Sequence, residues 1–291
     1  MANSKAALFM TLAMAAFAAT DAMINRASLT LATSQIFVVM GLVSGVIFAI
    51  AVWRKGEKLL SSQVFDPAFA VRSAGEVVGS FGFVTALTLL PLSTATAMLQ
   101  STPLAVTMGA ALFLGEKVGP RRWSAVCIGF IGVLLIIRPG TEGFEPSVFW
   151  AVLGIIGLSA RDLGTRALPA HLSTPFVSAW AMFLFAALGG LLTLVGDPWE
   201  PFTSSNVSYL LGMSFTVTIA VLAVTNSLRI GEVSAVAVFR YTRVVFALAI
   251  AMLLLGERPD LMTWIGTLVI VGSGIYAFLR ERRLARKTNE T

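Results

Sequence analysis

Ten long apolar stretches run through the chain, at 6–26, 35–53, 70–90, 93–114, 121–138, 147–167, 175–195, 207–229, 233–255 and 260–280. A helix rises about 1.5 Å per residue and the hydrocarbon core of a bilayer is about 30 Å thick, so roughly 20 apolar residues cross it. The ten stretches have that length, and only tails and short connections remain. Residues do not alternate between apolar and polar, which excludes a β-barrel. Composition agrees: 57% of the 291 residues are hydrophobic and 12% are charged, against about 25% charged in a soluble domain. An ordinary cytosolic enzyme, a disordered protein and a nucleic-acid-binding module are excluded. The first stretch is too long and too interrupted by polar residues for a signal peptide. The expectation is an all-α integral membrane protein with ten transmembrane helices, its partners being the lipid bilayer and a small-molecule substrate, with no nucleic acid.

The net charge of +6 is unevenly spread. One side of the expected bundle receives Lys5, Arg54, Lys55, Lys58, Arg72, Lys117, Arg121, Arg122, Arg161, Arg166, Arg229, Arg280, Arg282, Arg283, Arg286 and Lys287, a total of 16. The other receives 3, namely Arg26, Arg138 and Arg258. Cytoplasmic loops carry the excess of Lys and Arg, so both termini are expected in the cytoplasm of a bacterial inner membrane. The basic balance therefore reports orientation. A single cysteine (Cys127) and a single histidine (His171) leave little for metal binding or His-based catalysis, and no cofactor is expected.

The chain repeats itself. LFLGEKVGPRRW at 112–123 matches LLLGERPDLMTW at 253–264, with Leu112, Leu114, Gly115, Glu116 and Trp123 falling on Leu253, Leu255, Gly256, Glu257 and Trp264 at an offset of 141. The same offset pairs Leu87 with Leu228 and Ser93 with Ser234. Each Gly-Glu marks a helix end and tight turn. The units are 6–138 and 147–280, five spans each, joined through the Gly- and Pro-containing 139–146, with a basic tail at 281–291. Five is odd, so the second unit enters the membrane from the opposite side and the repeats are inverted. Inverted repeats are common in secondary transporters, with the substrate near the midplane between the halves.

Two five-span halves, each with a Leu-Gly-Glu turn before a last Gly-rich helix, resemble the drug/metabolite transporter superfamily and, within it, the EamA family. The run PLSTATAMLQSTPL at 91–104 is similar to that family's fourth helix. Within the family the chain looks most like the YddG-type exporters of aromatic amino acids and other metabolites. The resemblance implies a secondary transporter, not an enzyme, exporting small amphipathic metabolites such as amino acids.

Ionisable residues inside a bilayer are costly and so are functional candidates. Asp21 shares a helix face with Met10, Met14, Phe17 and Asn25; it is either a proton- or amine-binding coupling carboxylate or the partner of Arg26. Glu76 can pair with Arg72 one turn earlier. Arg161, Asp162 and Arg240 lie at similar depth, with Arg243 a little deeper, and the set is expected to form a gate, an anion-binding wall or a fixed ion-pair network. Gln100 and Tyr241 are matched by the 141-residue offset, which places them across the centre of the expected cavity. Thr96 and Thr107 lie on the same span, and Pro103 frees a carbonyl there for a ligand. Asn226 and Trp180 complete the candidate lining, Trp180 as a platform for an aromatic solute. Importers and organic-anion or phosphate exchangers of the same superfamily are the alternative. Channels and membrane-embedded enzymes are remote ones, since no Gly-x-Ser-x-Gly elbow, His-Glu-x-x-His or Walker motif is present. A monomer is sufficient for a site between two halves of one chain.

Overall fold

The structure, a computed structural model, describes residues 2–116, 118–169, 172–196, 198–230 and 237–289. His171 and Ser234 lie outside the described residues, and the side chains of Arg166, Arg229 and 281–289 are likewise not described. In chain order the helices are α1 (Ala2–Ala27), α2 (Thr33–Arg54), α3 (Pro67–Leu89), α4 (Leu92–Leu99), α5 (Thr102–Phe113) and α6 (Pro120–Ile137). The second half holds α7 (Val148–Arg166), α8 (Thr174–Val195), α9 (Ser204–Ile230), α10 (Thr242–Leu253) and α11 (Leu261–Asn289). Two 3-10 turns occur, at Ser62–Phe65 and Ala237–Tyr241. The expected basic tail continues α11 as helix through Asn289.

Seven of these helices are long and apolar enough to cross a membrane: α1, α2, α6, α7, α8, α9 and α11. They match seven of the ten expected spans. The third span is the 23-residue α3, in which Arg72, Glu76 and several Gly and Ser residues dilute the apolar run. The fourth and ninth are each broken. Pro103 stands in the first turn of α5; it has no N–H, and its ring bars the approach of the Leu99 carbonyl, so one helix cannot run through. The Thr102 hydroxyl takes the Leu99 carbonyl at 2.6 Å and the Ser101 hydroxyl takes that of Met98 at 2.8 Å. In the ninth stretch the 3-10 turn gives way to α10 at Tyr241–Thr242. The offset of 141 carries Gln100 onto Tyr241, so the α-helical pattern is interrupted at matching positions in both halves, by a turn in the first and by a 3-10 segment in the second.

The Leu-Gly-Glu motifs end helices as expected. Gly115 and Gly256 adopt left-handed φ of 67° and 71°, which a residue with a Cβ resists. The amides of Glu116 and Glu257 then donate back to the carbonyls of Ala110 and Ala251 at 3.2 and 2.9 Å, closing the last turn.

The major pairings all join the two halves: α3 with α7, α1 with α9, α2 with α8 and α6 with α11. Small residues permit this closeness. Gly79 and Gly157 touch backbone to backbone, and a Cβ on either would overlap the other helix's main chain. Gly75 and Gly82 of α3 meet α7 in the same way at Arg161 and Gly154. Gly157→Ala is therefore expected to cost about 1–3 kcal/mol, as overpacking does. Gly272→Ala adds a methyl to open space on α11 and is expected to be neutral or slightly stabilising. Thermal unfolding in detergent compares the two; equal melting temperatures for Gly157→Ala and the wild type would refute the seam.

Candidate functional site

The seam between α3 and α7 sets charged groups side by side. The Arg72 Nη2 donates to Glu76 Oε2 at 3.0 Å, one turn along α3. Arg161, on α7, reaches Glu76 Oε1 at 3.4 Å and grips Asp162 Oδ1 through Nε and Nη2 at 2.9 and 2.8 Å. Ser80 adds a hydroxyl to Glu76 Oε1 at 3.3 Å. Arg72 and Glu76 are buried, and the Arg72 Nε and Nη1 find no partner among the described residues. Arg240 and Arg243, grouped with this set on depth alone, make no ion pair with it among the described residues, because they sit on a segment that packs elsewhere.

Arg243 instead meets Asp21. The carboxylate of Asp21 accepts from Arg243 Nε and Nη2 at 2.9 and 2.7 Å, across 222 residues of sequence. The guanidinium is also flanked by rings, 4.9 Å from the centroid of Phe17 and 5.3 Å from that of Phe83. Such cation–ring contacts contribute about 2 kcal/mol when desolvated. Asp21 is fully engaged in this conformation. Among the described residues Arg26, the other partner considered for it, reaches the Leu254 carbonyl, at 3.5 Å, and not Asp21. Asn25 on the same face of α1 donates to the Leu87 carbonyl at 2.7 Å.

At the centre the two broken segments touch, α4 packing against α10. The side-chain amide of Gln100 donates to the Arg240 carbonyl at 3.4 Å. Tyr241 is buried, and its hydroxyl occupies the space a Cβ on Gly274 of α11 would need. The Arg240 side chain and Asn226 are exposed. Thr96 faces no open space: it is fully buried, its hydroxyl held by the Leu92 and Ser93 carbonyls at 2.6 and 3.3 Å. The carbonyl freed by Pro103 is likewise occupied, by Thr102. Trp180 lies away from the centre. Its indole N–H donates to the Leu59 carbonyl at 3.0 Å and its ring meets Phe69 edge-on, so it holds the loop after α2 against α8.

Residues 4–138 and 145–279 each match the EamA-like transporter family, again at an offset of 141. The chain belongs to the EamA-like transporter family. A riboflavin transporter of Rhizobium johnstonii is 26% identical over 210 residues, which cover 72% of this chain and 69% of that one. The pseudopaline exporter CntI of Pseudomonas aeruginosa is 24% identical, covering 91% and 92% of the two chains. An S-adenosylmethionine uptake transporter of Rickettsia felis is 22% identical, covering 73% and 72%. A solved crystal structure superposes with a TM-score of 0.63 at 20% identity, covering 97% and 99%, and shares the fold. The chain is thus a multi-pass membrane transporter and not an enzyme.

For this EamA protein the family motif holds more than a turn. The Glu257 carboxylate leaves its own half and accepts from the Leu92 and Ser93 amides at 2.7 and 3.0 Å and from the Ser93 hydroxyl at 2.6 Å. It thereby caps α4, where the free amides and helix dipole favour an anion. The motif alone does not reveal this role; the sequence signal is that the Glu and a serine 23 residues before it both recur at the 141-residue offset. A cleft of about 500 Å³ opens between α3, α5 and α7, lined by residues such as Val71, Met108, Phe113 and Leu163. It holds none of the candidate site residues, and the Ser159 hydroxyl there is already bonded to the Ile155 carbonyl at 2.6 Å. Nothing in it orients a polar solute.

Removing one member of a buried ion pair leaves the other charge uncompensated, at about 3–5 kcal/mol. Asp21→Asn is therefore expected to lower stability by about that much, and Asp21→Asn with Arg243→Gln to recover most of it. Thermal unfolding of the three proteins checks this. A double variant no more stable than the single one would refute the pair as described.

Proposed function

We propose that the chain is a ten-span secondary transporter built as two inverted five-helix repeats, exporting small amphipathic metabolites, amino acids among them, by alternating access across a bacterial inner membrane. The observation that carries the reading is the contact between two helices broken at matching positions, Gln100–Ser101 and Tyr241–Thr242. Broken helices that meet between repeats are where such carriers hold solutes, since the interrupted backbone lines a cavity rather than lipid. The helix pairing supports the inverted arrangement. Exchanging the halves turns α1–α9 into α7–α3 and returns α2–α8 and α6–α11 to themselves. A two-fold relation produces that list.

The proposed lining of the path is Gln100, Tyr241, Arg240 and Asn226, with Glu76, Arg72, Arg161 and Asp162 closing one end and Asp21 with Arg243 the other. Thr96, Pro103 and Trp180 act as scaffold. Trp180 does not support an aromatic preference of the YddG kind, since its N–H is committed to Leu59 away from the centre. Relatives named for uptake and for export both exist, so direction is a property of the gradient and of the solute more than of the fold.

Purified protein in liposomes loaded with unlabelled solute tests the mechanism. A panel of aromatic and aliphatic amino acids, riboflavin and S-adenosylmethionine is offered labelled from outside, with and without a pH gradient. The expected result is transient accumulation of label above equilibrium for at least one solute, driven by the unlabelled solute within. Uptake that never exceeds equilibrium would mean a channel. For orientation, an alkaline phosphatase reporter fused after Thr291 is expected to be inactive; an active fusion would overturn the cytoplasmic placement of the C-terminus.

A further inference from the structure

Among the described side chains, three of the four interior guanidinium groups have carboxylate partners. Arg72 and Arg161 share Glu76, Arg161 also holds Asp162, and Arg243 holds Asp21. Arg240 differs. Among the described residues its side chain has neither an ion pair nor a hydrogen bond, and no ring covers it as Phe17 and Phe83 cover Arg243. It is also exposed, while the next residue, Tyr241, is buried against α11.

Its place in the fold makes this exposure informative. The Arg240 carbonyl is bonded to Gln100 at the point where the two broken segments meet, seven residues inside the start of each expected span. A bare guanidinium there does not face hydrocarbon, where neither water nor an anion could satisfy it. It reaches water or an anion instead. Among the described side chains the interior charges leave one cation over, three carboxylates against four guanidiniums, and that one is Arg240.

We infer that Arg240 is the docking point for an anionic group of the transported metabolite, a carboxylate, and that it selects acids over their neutral amides. The inference rests on the transporter reading above and adds the substrate class to it. The planar guanidinium offers two parallel N–H donors that match a carboxylate. Neighbouring Phe239 is partly exposed and gives an apolar surface to the rest of an amphipathic solute. The solute's own carboxylate then supplies the missing counter-charge.

The test uses the full-length wild type, Arg240→Gln and Arg240→Lys, each in neutral detergent and in phosphatidylcholine vesicles. The probes are phenylalanine and leucine, and the corresponding uncharged N-acetyl amides beside the N-acetyl acids. Binding is read as ligand-dependent thermal stabilisation, transport as counterflow. The wild type is expected to bind at least one acid and to discriminate against its amide, and Arg240→Gln to bind that acid about ten- to a hundredfold more weakly while keeping the wild-type melting temperature without ligand. Arg240→Lys is expected to retain part of the preference. The inference is overturned if no acid stabilises the wild type, if acid and amide bind alike, or if Arg240→Gln leaves the preference intact. It is also overturned if stabilisation follows added phosphatidylglycerol and not the free acids, which would make Arg240 a lipid site. If the transporter reading alone fails, acid binding and its loss in Arg240→Gln persist without counterflow. If only the inference fails, counterflow persists with no distinction between acid and amide.

Discussion

Main-chain contact between α3 and α7 fixes where the charges of one end of the molecule lie. At Gly79 and Gly157 no side chain separates the helices, so residues one turn further along each helix are brought within bonding range. Arg161 reaches Glu76 for this reason, although 85 residues separate them in the chain. With bulkier residues at the seam the helices would stand off by a side-chain diameter. Glu76 would keep Arg72, which shares its helix, and lose Arg161. A carboxylate held by one cation on its own helix moves with that helix; one held across a seam ties two halves of the molecule together. The glycine pattern thus decides whether the charged cluster is local decoration or a connection between repeats.

The same logic governs the centre. In hydrocarbon every main-chain amide and carbonyl needs an internal partner, so a broken helix survives only when other groups close the gap. Around Pro103 the hydroxyls of Ser101 and Thr102 do this within one segment. At the start of α4 it is done from the other half, by Glu257. The break is thus closed locally, while the start of α4 and the Gln100–Arg240 contact tie the same segment to the other repeat. A solute held at the breaks would sit where the two halves already depend on each other, which is where binding can most directly change how they pack.

Much of this was legible in the sequence, and what was not has physical reasons. Helix positions followed from apolar length alone, and Gly115 and Gly256 marked helix ends because a left-handed turn needs glycine. Pro103 announced the break in the fourth segment, yet its freed carbonyl was assigned to a ligand when the neighbouring Thr102 hydroxyl takes it. Short polar side chains compete for such carbonyls, and Thr102 stood one residue away. Glu76 with Arg72 was readable as a one-turn pair. Asp21 with Arg243 was not, because helical periodicity tells which face is inward and not which helix it meets. Trp180 was misplaced for a similar reason: the loop after α2 folds back to present Leu59, and nothing local in the sequence predicts that fold-back. Residue depth put Arg240 beside Glu76, but depth is one coordinate of three.

The 141-residue offset shared by the two family matches carries Asp21 of α1 onto Asp162 of α7. Each half thus keeps an acid at the same place in its first helix, and each acid is met by an arginine. The arginines are not equivalent. Asp162 is held by its neighbour Arg161, itself tied to α3 through Glu76, whereas Asp21 is held by Arg243 from α10 with two rings around the cation. In a carrier of the proposed kind, perfectly equal halves would make the two end states mirror each other in energy. Unequal locks lift that degeneracy, and the difference between them sets which side the empty carrier prefers to face. That preference alters rates from each side but cannot by itself drive net movement, which only a gradient of solute or coupled ion supplies. The same fold is found in relatives named for uptake and for export, and in this chain the unequal surroundings of its two matched aspartates would bias the resting state of such a carrier.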